Sequence, residues 1–384
     1  MAIATDIPSD VIAHWSAQGT KADAVAGQMR ELRHAARDDE GYPLARASVM
    51  NLICHAADQA AVELAKQRVD ELAINHPSRG IVVATPTGDT FSLDADVTLH
   101  KHPLADHGLV YERVVLQAHG ADPEGLDTLV IPLLIPHLQS FLWWLGDPWV
   151  DHPAMRGLAA ICDRLVVDSA LGPADRLRDL AMMIGDAAVA GQAEVPAFAR
   201  IVLGDVAWAR LDGFRMALVQ VFDEAHRAEY LEGLTRIHIH GHRGARAPVT
   251  PAEVLFGGWL ASRLGWTMPA WATGGVSLRQ GSRRVLMDFA GTGARARGVT
   301  APLSGVRVEA ELGRRKLTIE LEAAKTDAHL VITETGGTPT RRTIPMRALS
   351  ETEALSRELS RIGRDRVYED AMASAARIQG AVDS

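Results

Sequence analysis

The segment Phe141-Leu142-Trp143-Trp144-Leu145-Gly146-Asp147-Pro148-Trp149 constrains the fold of this 384-residue chain more than any other. It carries three of the eight tryptophans, in a chain with only 5% aromatic residues. Indole is the largest apolar side chain, and its single N–H needs an acceptor when buried. Neighbouring residues on a strand point to opposite faces, so Trp143 and Trp144 cannot serve the same side of a sheet. The segment therefore predicts a strand covered on both faces, with at least one of the two rings almost wholly buried. A ring left facing outward would serve a pocket or a partner.

Composition narrows the class. Apolar residues make up 47% of the chain and charged residues 23%, as in ordinary globular proteins. A net charge of -8 argues against bulk attraction to nucleic acid or to an anionic membrane. Cys54 and Cys162 are too few and too far apart to frame a disulfide scaffold, and both sit in apolar contexts that predict buried free thiols. Met1 to Asp10 lacks a basic stretch followed by an apolar one, so no signal peptide is expected. No apolar run reaches membrane-spanning length, and a cytoplasmic location is the expectation.

Three regions are expected. Residues 1–45 read as an amphipathic helix and a linker, with a break at Asp38-Asp39-Glu40-Gly41-Tyr42-Pro43. Residues 46–170 read as an α/β domain with a mainly parallel, helix-covered sheet. In it, a helix running from Ala47 to Asn75-His76-Pro77 precedes strands at Ile81-Val82-Val83, Val97-Thr98-Leu99, Tyr111–Ala118, the tryptophan segment and Arg164–Val167. Leu126–Leu138 is apolar with Pro132 and Pro136, hence short turns, and Ala154–Cys162 is a helix.

Residues 171–384 read as an α+β domain with an antiparallel sheet from about 283 to 345. A helix at Pro173–Gly185 and a loop at Gly191–Glu194 lead to a long helix capped by Asp205, then a strand at Arg236–His240. Thr250-Pro251-Ala252-Glu253 is a capping box with proline at the first helical position. Strands follow at Val285–Phe289, Val306–Glu311, Lys316–Glu322 and Leu330–Thr333, with a hairpin turn at Gly313-Arg314. A helix at Ser350–Ile362 closes the chain.

Catalytic signatures are sparse. The loop after Val83 has no GxGxxG, and no GxxxxGK[ST], GxSxG or HExxH occurs; no cofactor site is expected. His238, His240 and His242 alternate along a strand and would share a face, which opens the option of a zinc-type site and a metal-dependent hydrolase. A solvated strand face fits the same spacing, because no nearby acid supplies a fourth ligand. His100, His102 and His107 form a looser set. Arg79 stands at a helix-to-strand joint, where it can bind a phosphate, as in a sugar-phosphate sensor, grip a partner carboxylate, or tie down helix-end carbonyls. Between Arg279 and Glu320 stand nine cations (279, 283, 284, 295, 297, 307, 314, 315 and 316) against four acids. With only Phe289 interleaved, this stretch suits an acidic partner or a solvated face better than nucleic acid.

Several motifs, in order, resemble one family. They are Arg46-Ala47-Ser48-Val49-Met50-Asn51-Leu52, His76-Pro77-Ser78-Arg79, Pro132-Leu133-Leu134, the tryptophan strand, Asp163-Arg164 and Asp168-Ser169. Asp205, Trp208, Arg210, Arg215, Phe222-Asp223 and Gly258-Trp259-Leu260-Ala261-Ser262-Arg263-Leu264-Gly265 continue the series. Together they resemble the glucose-6-phosphate dehydrogenase assembly (OpcA) family over roughly residues 44–370. That resemblance implies a non-catalytic bacterial protein that binds glucose-6-phosphate dehydrogenase, promotes its active oligomer and supports the oxidative pentose phosphate pathway. The residues expected at such an interface are Trp143, Trp144, Trp149, Arg79, Arg283, Arg284, Arg314 and Arg315. Cys54 and Cys162 match no motif of the resemblance.

Overall fold

The computed structural model describes residues 11–37, 41, 43–102, 109–189, 201–244, 247–293 and 301–383. Met1 to Asp10, the loop expected at Gly191–Glu194, His107, Arg295 and Arg297 lie outside them, as does most of the break at Asp38–Pro43. The described residues form two compact units. Those within 1–168, 190–204 and 355–362 make the first, and those within 169–189, 205–354 and 363–384 make the second.

The first unit is built on a nine-stranded sheet. Its strands are β1 (Val11–Ala17), β2 (Ala45–Arg46), β3 (Met50–Ala56), β4 (Ser78–Ala84), β5 (Ser92–Lys101), β6 (Leu109–His119), β7 (Ser140–Trp144), β8 (Arg164–Val167) and β9 (Val202–Asp205). Their order is β1-β5-β6-β4-β3-β7-β8-β9, with β2 beside β6. The stretch from β6 to β8 is parallel, while β1 and β5 run antiparallel to their neighbours. Helices Gln59–Leu72 and Pro153–Ala159 make the crossovers β3 to β4 and β7 to β8, as parallel neighbours require.

Two local expectations are corrected by the fold. The helix expected from Ala47 begins only at Gln59, and Met50–Ala56 is a strand with all seven residues buried. A strand covered on both faces is a continuous apolar run, and such a run also fits a helical stripe. Asp58 marks the true helix start, since its side chain accepts from Ala61 N at 2.8 Å. Residues 11–17, within the stretch read as helix and linker, form β1 and pair with β5; the helix is present as Ala22–Ala35.

The second unit holds an eight-stranded sheet: β10 (Leu234–Gly241), β11 (Thr267–Ala272), β12 (Gly275–Gln280), β13 (Arg283–Gly291), β14 (Gly305–Leu312), β15 (Arg315–Ala323), β16 (Asp327–Glu334) and β17 (Thr340–Pro345). The order is β11-β12-β13-β10-β14-β15-β16-β17, antiparallel throughout except for β10 with β13. The fold class is thus a mainly parallel, helix-covered sheet followed by a mainly antiparallel one. In β10, Ile237 and Ile239 are buried while Arg236, His238 and His240 are half-buried, the alternation of a sheet with one covered face. Gly313 takes φ 62° between β14 and β15, a left-handed conformation that favours glycine.

Helix Pro251–Arg263 lies between this sheet and helix Arg366–Val382. A Cβ at Gly258 would meet Ala371 O at 2.3 Å, and one at Gly257 would meet Met287 Sδ at 2.6 Å. Thr250 and Glu253 form the capping box, and Ser350 pairs with Glu353 in the same way. Helix Arg366–Val382, capped by Asp365, continues the chain past the helix expected to close it. Its small residues Ala371 and Ala375 give a weak apolar pattern that nonetheless packs tightly. The single helix expected after Asp205 is two, Val206–Arg210 and Asp212–Phe222. At the joint the Arg215 guanidinium lies 3.4 Å from the Trp208 ring centroid. Among the described residues no helix is long and apolar enough to cross a membrane.

Candidate functional site

In an open α/β sheet the ligand crevice lies at the carboxyl ends of the strands, where the strand order reverses. Here the chain goes from β3 to β4 on one side and then returns to place β7 on the other side of β3. The crevice therefore falls between the ends of β3 and β7. In nucleotide-binding proteins of this topology, the helix start after the first strand holds a phosphate. In this chain the start of helix Gln59–Leu72 holds the carboxylate of Asp58.

The rest of the crevice is filled by rings. His55 and Trp144 are register partners on β3 and β7, and their rings stack with centroids 4.0 Å apart and planes within 2°. They are 2% and 4% exposed, and Trp144 Nε1 donates to Asp147 O at 2.9 Å. His152 closes over both, with centroids 5.7 Å from His55 and 5.1 Å from Trp144. Its Nδ1 accepts from Ala154 N at 3.2 Å and so caps helix Pro153–Ala159. Trp149 stands edge-on to His152 at 5.5 Å and is 42% exposed. Burial, and secondarily His152, hold the His55 imidazole down at about 4, so it is neutral near pH 7.

Trp143 occupies the other face of β7, in register with Cys54 and Val166, and is 2% exposed. Both tryptophans of the pair are therefore core. Burial pushes the Cys54 thiol up, and burial with Asp163 does the same for Cys162, so neither favours the reactive thiolate.

Arg79 also turns inward. It faces Glu112 across the β4–β6 register, donating from Nε to Oε2 at 2.6 Å, while Nη1 donates to Leu133 O at 2.5 Å. Arg33 approaches the other Glu112 oxygen at 3.6 Å. The guanidinium expected to meet a phosphate, a partner or the preceding helix end instead neutralises a fully buried glutamate. Asn51 is a further buried anchor: it accepts from Ile135 N at 2.8 Å and donates to Ser140 Oγ at 3.2 Å, fixing the turn before β7.

The three alternating histidines do not converge. His238 and His240 share a face, with rings nearly parallel and centroids 6.3 Å apart. His242 lies beyond the end of β10 and lines a different recess, beside Arg210 and Thr250. His238 Nδ1 is 2.9 Å from Asp288, which also meets Arg236 at 3.1 Å; His238 Nε2 is 3.7 Å from Glu309. Arg307 continues the series to Glu309 and Glu320. Acids thus do stand beside these histidines, but they arrive from neighbouring strands and form an ion-pair ladder across the open face. Among the described residues no group of three or more His, Cys, Asp or Glu is placed to hold a metal. His100 stacks on Tyr111 at 4.9 Å as part of the core.

The remaining candidate residues gather at one end of the second sheet. Arg283, Arg284, Arg314 and Arg315 are all exposed. Arg283 donates to Glu232 O at 2.8 Å, Arg284 to Ser277 Oγ at 2.7 Å, and Arg315 pairs with Glu229 at 2.8 Å. Arg279, exposed on β12, sits directly opposite Arg284. His55 and Glu112 escaped the sequence reading, and Asn51 entered it only as part of a motif; each is a polar residue inside an apolar run, the one signal that marks them.

Known proteins resemble this chain over most of its length. The family models for the N-terminal and C-terminal domains of the glucose-6-phosphate dehydrogenase subunit match residues 69–183 and 201–372, respectively. A Nostoc punctiforme protein named as the putative OxPP cycle protein OpcA is 30% identical over 203 residues, which are 51% of this chain and 40% of that protein. Its Synechococcus elongatus namesake is 27% identical over 279 residues, 68% of this chain and 58% of that one. The chain spans about half the length of the curated relatives it matches. Among solved structures, the oxidoreductase yvaA of Bacillus subtilis aligns with a TM-score of 0.45 at 10% identity, over 87% of this chain and 97% of that one. An oxidoreductase from Sinorhizobium meliloti aligns at 0.42 and 13%, over 87% and 90%.

Proposed function

The chain belongs to the glucose-6-phosphate dehydrogenase assembly (OpcA) family, and from that premise we propose that it binds glucose-6-phosphate dehydrogenase in the cytoplasm and promotes its active oligomer. It acts without chemistry of its own, at the entry to the oxidative pentose phosphate pathway. The observation that carries this reading is the state of the switch-point crevice. Where a nucleotide-dependent enzyme of this topology would hold its cofactor, Asp58 caps the helix start and His55, Trp144 and His152 fill the space. With the switch point so filled, recognition falls to exposed residues and not to that crevice.

The contacts fall to what is exposed: Trp149, and the arginines Arg283, Arg284, Arg314 and Arg315, residue types that dominate interface energetics. Trp143, Trp144 and Arg79 serve the interior. Activation follows if the protein binds the active oligomer more tightly than the inactive form, and its size is bounded by that difference in affinity. The test mixes the purified chain with the dehydrogenase of the same organism and follows initial rate and particle mass. A higher rate with a shift to a larger oligomer is expected. An unchanged rate and an unchanged mass at saturating chain would refute the proposal.

A further inference from the structure

The open face of the second sheet carries a recess of about 670 Å³, where β10 ends, β14 begins and β15 ends. Small-molecule sites span roughly 300–1,000 Å³, so the space suits a compact ligand. Two rows of side chains cross it in register from β10 to β14 to β15. One row is His238, Arg307 and Glu320; the other is His240, Gly305 and Glu322. Gly305 has no side chain, so an open floor separates His240 from Glu322. Two strand spacings, roughly 9–10 Å, lie between their backbones.

The two rows differ in what they leave free. Arg307 pairs with Glu309 at 2.9 Å and with Glu320 at 2.8 Å, and His238 lies 2.9 Å from Asp288. In the other row, no cation of the described residues pairs with Glu322, and His240 has no hydrogen-bond partner among them. Burial, and then His238, hold the His240 imidazole below its usual value, so near pH 7 it is neutral and offers one donor and one acceptor. Ser304 and Thr292 add two hydroxyls to the lining, 2.9 Å apart.

This lining selects the chemistry of a ligand. Val306 and Leu321 bury their side chains on the covered face and give the recess only backbone, so an apolar molecule finds no wall. Donors alternate with acceptors along each row, Arg307 with Glu320 and His240 with Glu322. A phosphate only accepts, and it would meet three glutamates, Glu309, Glu320 and Glu322, against Arg236 and Arg307. An ammonium only donates, and it would meet the arginines. A hydroxyl donates and accepts at one atom. Neighbouring hydroxyls therefore answer alternating partners without setting like charge against like.

We propose that this recess binds an uncharged polyhydroxylated molecule, a sugar or polyol, seated over Gly305 and bridging His240 and Glu322. Its hydroxyls donate to the free Glu322 carboxylate and exchange hydrogen bonds with His240, Ser304 and Arg307. The site lies on this face alone and asks nothing of the dehydrogenase.

The test is a ligand-observed NMR titration of the whole chain with D-glucose, D-ribose and D-sorbitol, beside ribose 5-phosphate and putrescine. At least one uncharged compound is expected to saturate at or below about 10 mM, the weak range of a ligand this small. Glu322→Ala and His240→Phe each remove hydrogen-bonding groups from the recess and are expected to weaken that binding about tenfold. Glu311→Ala, at the far end of β14 and paired with Lys316 outside the recess, is expected to bind as the wild type does.

Circular dichroism identifies the variants that fold, and Glu322, exposed on its strand, is the safer of the two. Wild-type affinity in a folded Glu322 or His240 variant overturns the bridging geometry. An equal loss in Glu311→Ala overturns the assignment to this recess. Tighter binding of the phosphate ester or of putrescine overturns the uncharged chemistry. Failure of all three uncharged compounds to saturate by about 100 mM overturns the site.

Discussion

The interior of the first sheet and the arginine end of the second treat their polar groups in opposite ways. In the first, Arg79 meets Glu112, and Asn51 meets Ile135 and Ser140, all away from water. In the second, Arg279 and Arg284 stand directly opposite each other on neighbouring strands, in the open. Like charges so placed destabilise a sheet. The contrast teaches that the first region pairs its charges inside the fold, while the second leaves two like charges facing each other in solvent.

The comparison can be broken most readily at Glu112. Glu112→Gln leaves the Arg79 guanidinium buried without its counter-charge, a change that typically costs about 3–5 kcal/mol. Urea denaturation is expected to show a loss of that size, and one below about 1 kcal/mol would mean that the pair does not hold the region.

His55 sharpens the same contrast through pH. Its folded value near 4 lies below its ordinary 6.5, so the unfolded chain takes up the proton first as pH falls. Stability from this group is therefore whole above about pH 6.5 and is lost progressively towards pH 4, by about 3 kcal/mol at most. His55→Phe keeps a ring on Trp144 and removes the titration, so its denaturation midpoint is expected to vary less between pH 6.5 and 4. Parallel curves for the two proteins would assign the acid sensitivity to other groups.

The smallest effect has the opposite sign. Arg279→Glu turns a repulsive cross-strand pair into an attractive one, worth about 0.2–1 kcal/mol. Greater stability in urea denaturation is the expected result. A less stable variant would show that the arginine pair already has compensation within the fold.

Much of this architecture was legible in the sequence because its signals are local. Ile81-Val82-Val83 and Arg164–Val167 read as strands from β-branched runs, and Thr250 with Glu253 read as a cap from spacing alone. β3 was not legible, because burial on both faces erases the alternation that distinguishes strand from helix. The site was less legible still. Arg79 finds Glu112 and His238 finds Asp288 through strand pairing, over 33 and 50 residues of separation, and no spacing rule reports such pairings. The sequence placed at least one of Trp143 and Trp144 in the core without saying which, and Trp144's stacking partner His55 lay inside a stretch read as helix.

The seat of Gly258 against Ala371 and Ala375 has a consequence for how the chain is made. Helix Pro251–Arg263 cannot bury that face until Arg366–Val382 has been synthesised, about a hundred residues later. At translation rates of roughly 5–20 residues per second, its apolar surface waits for roughly 5–20 s on the ribosome. The second unit is therefore exposed to mispairing for longer during synthesis, and its yield in a cell depends on what shields that helix in the interval.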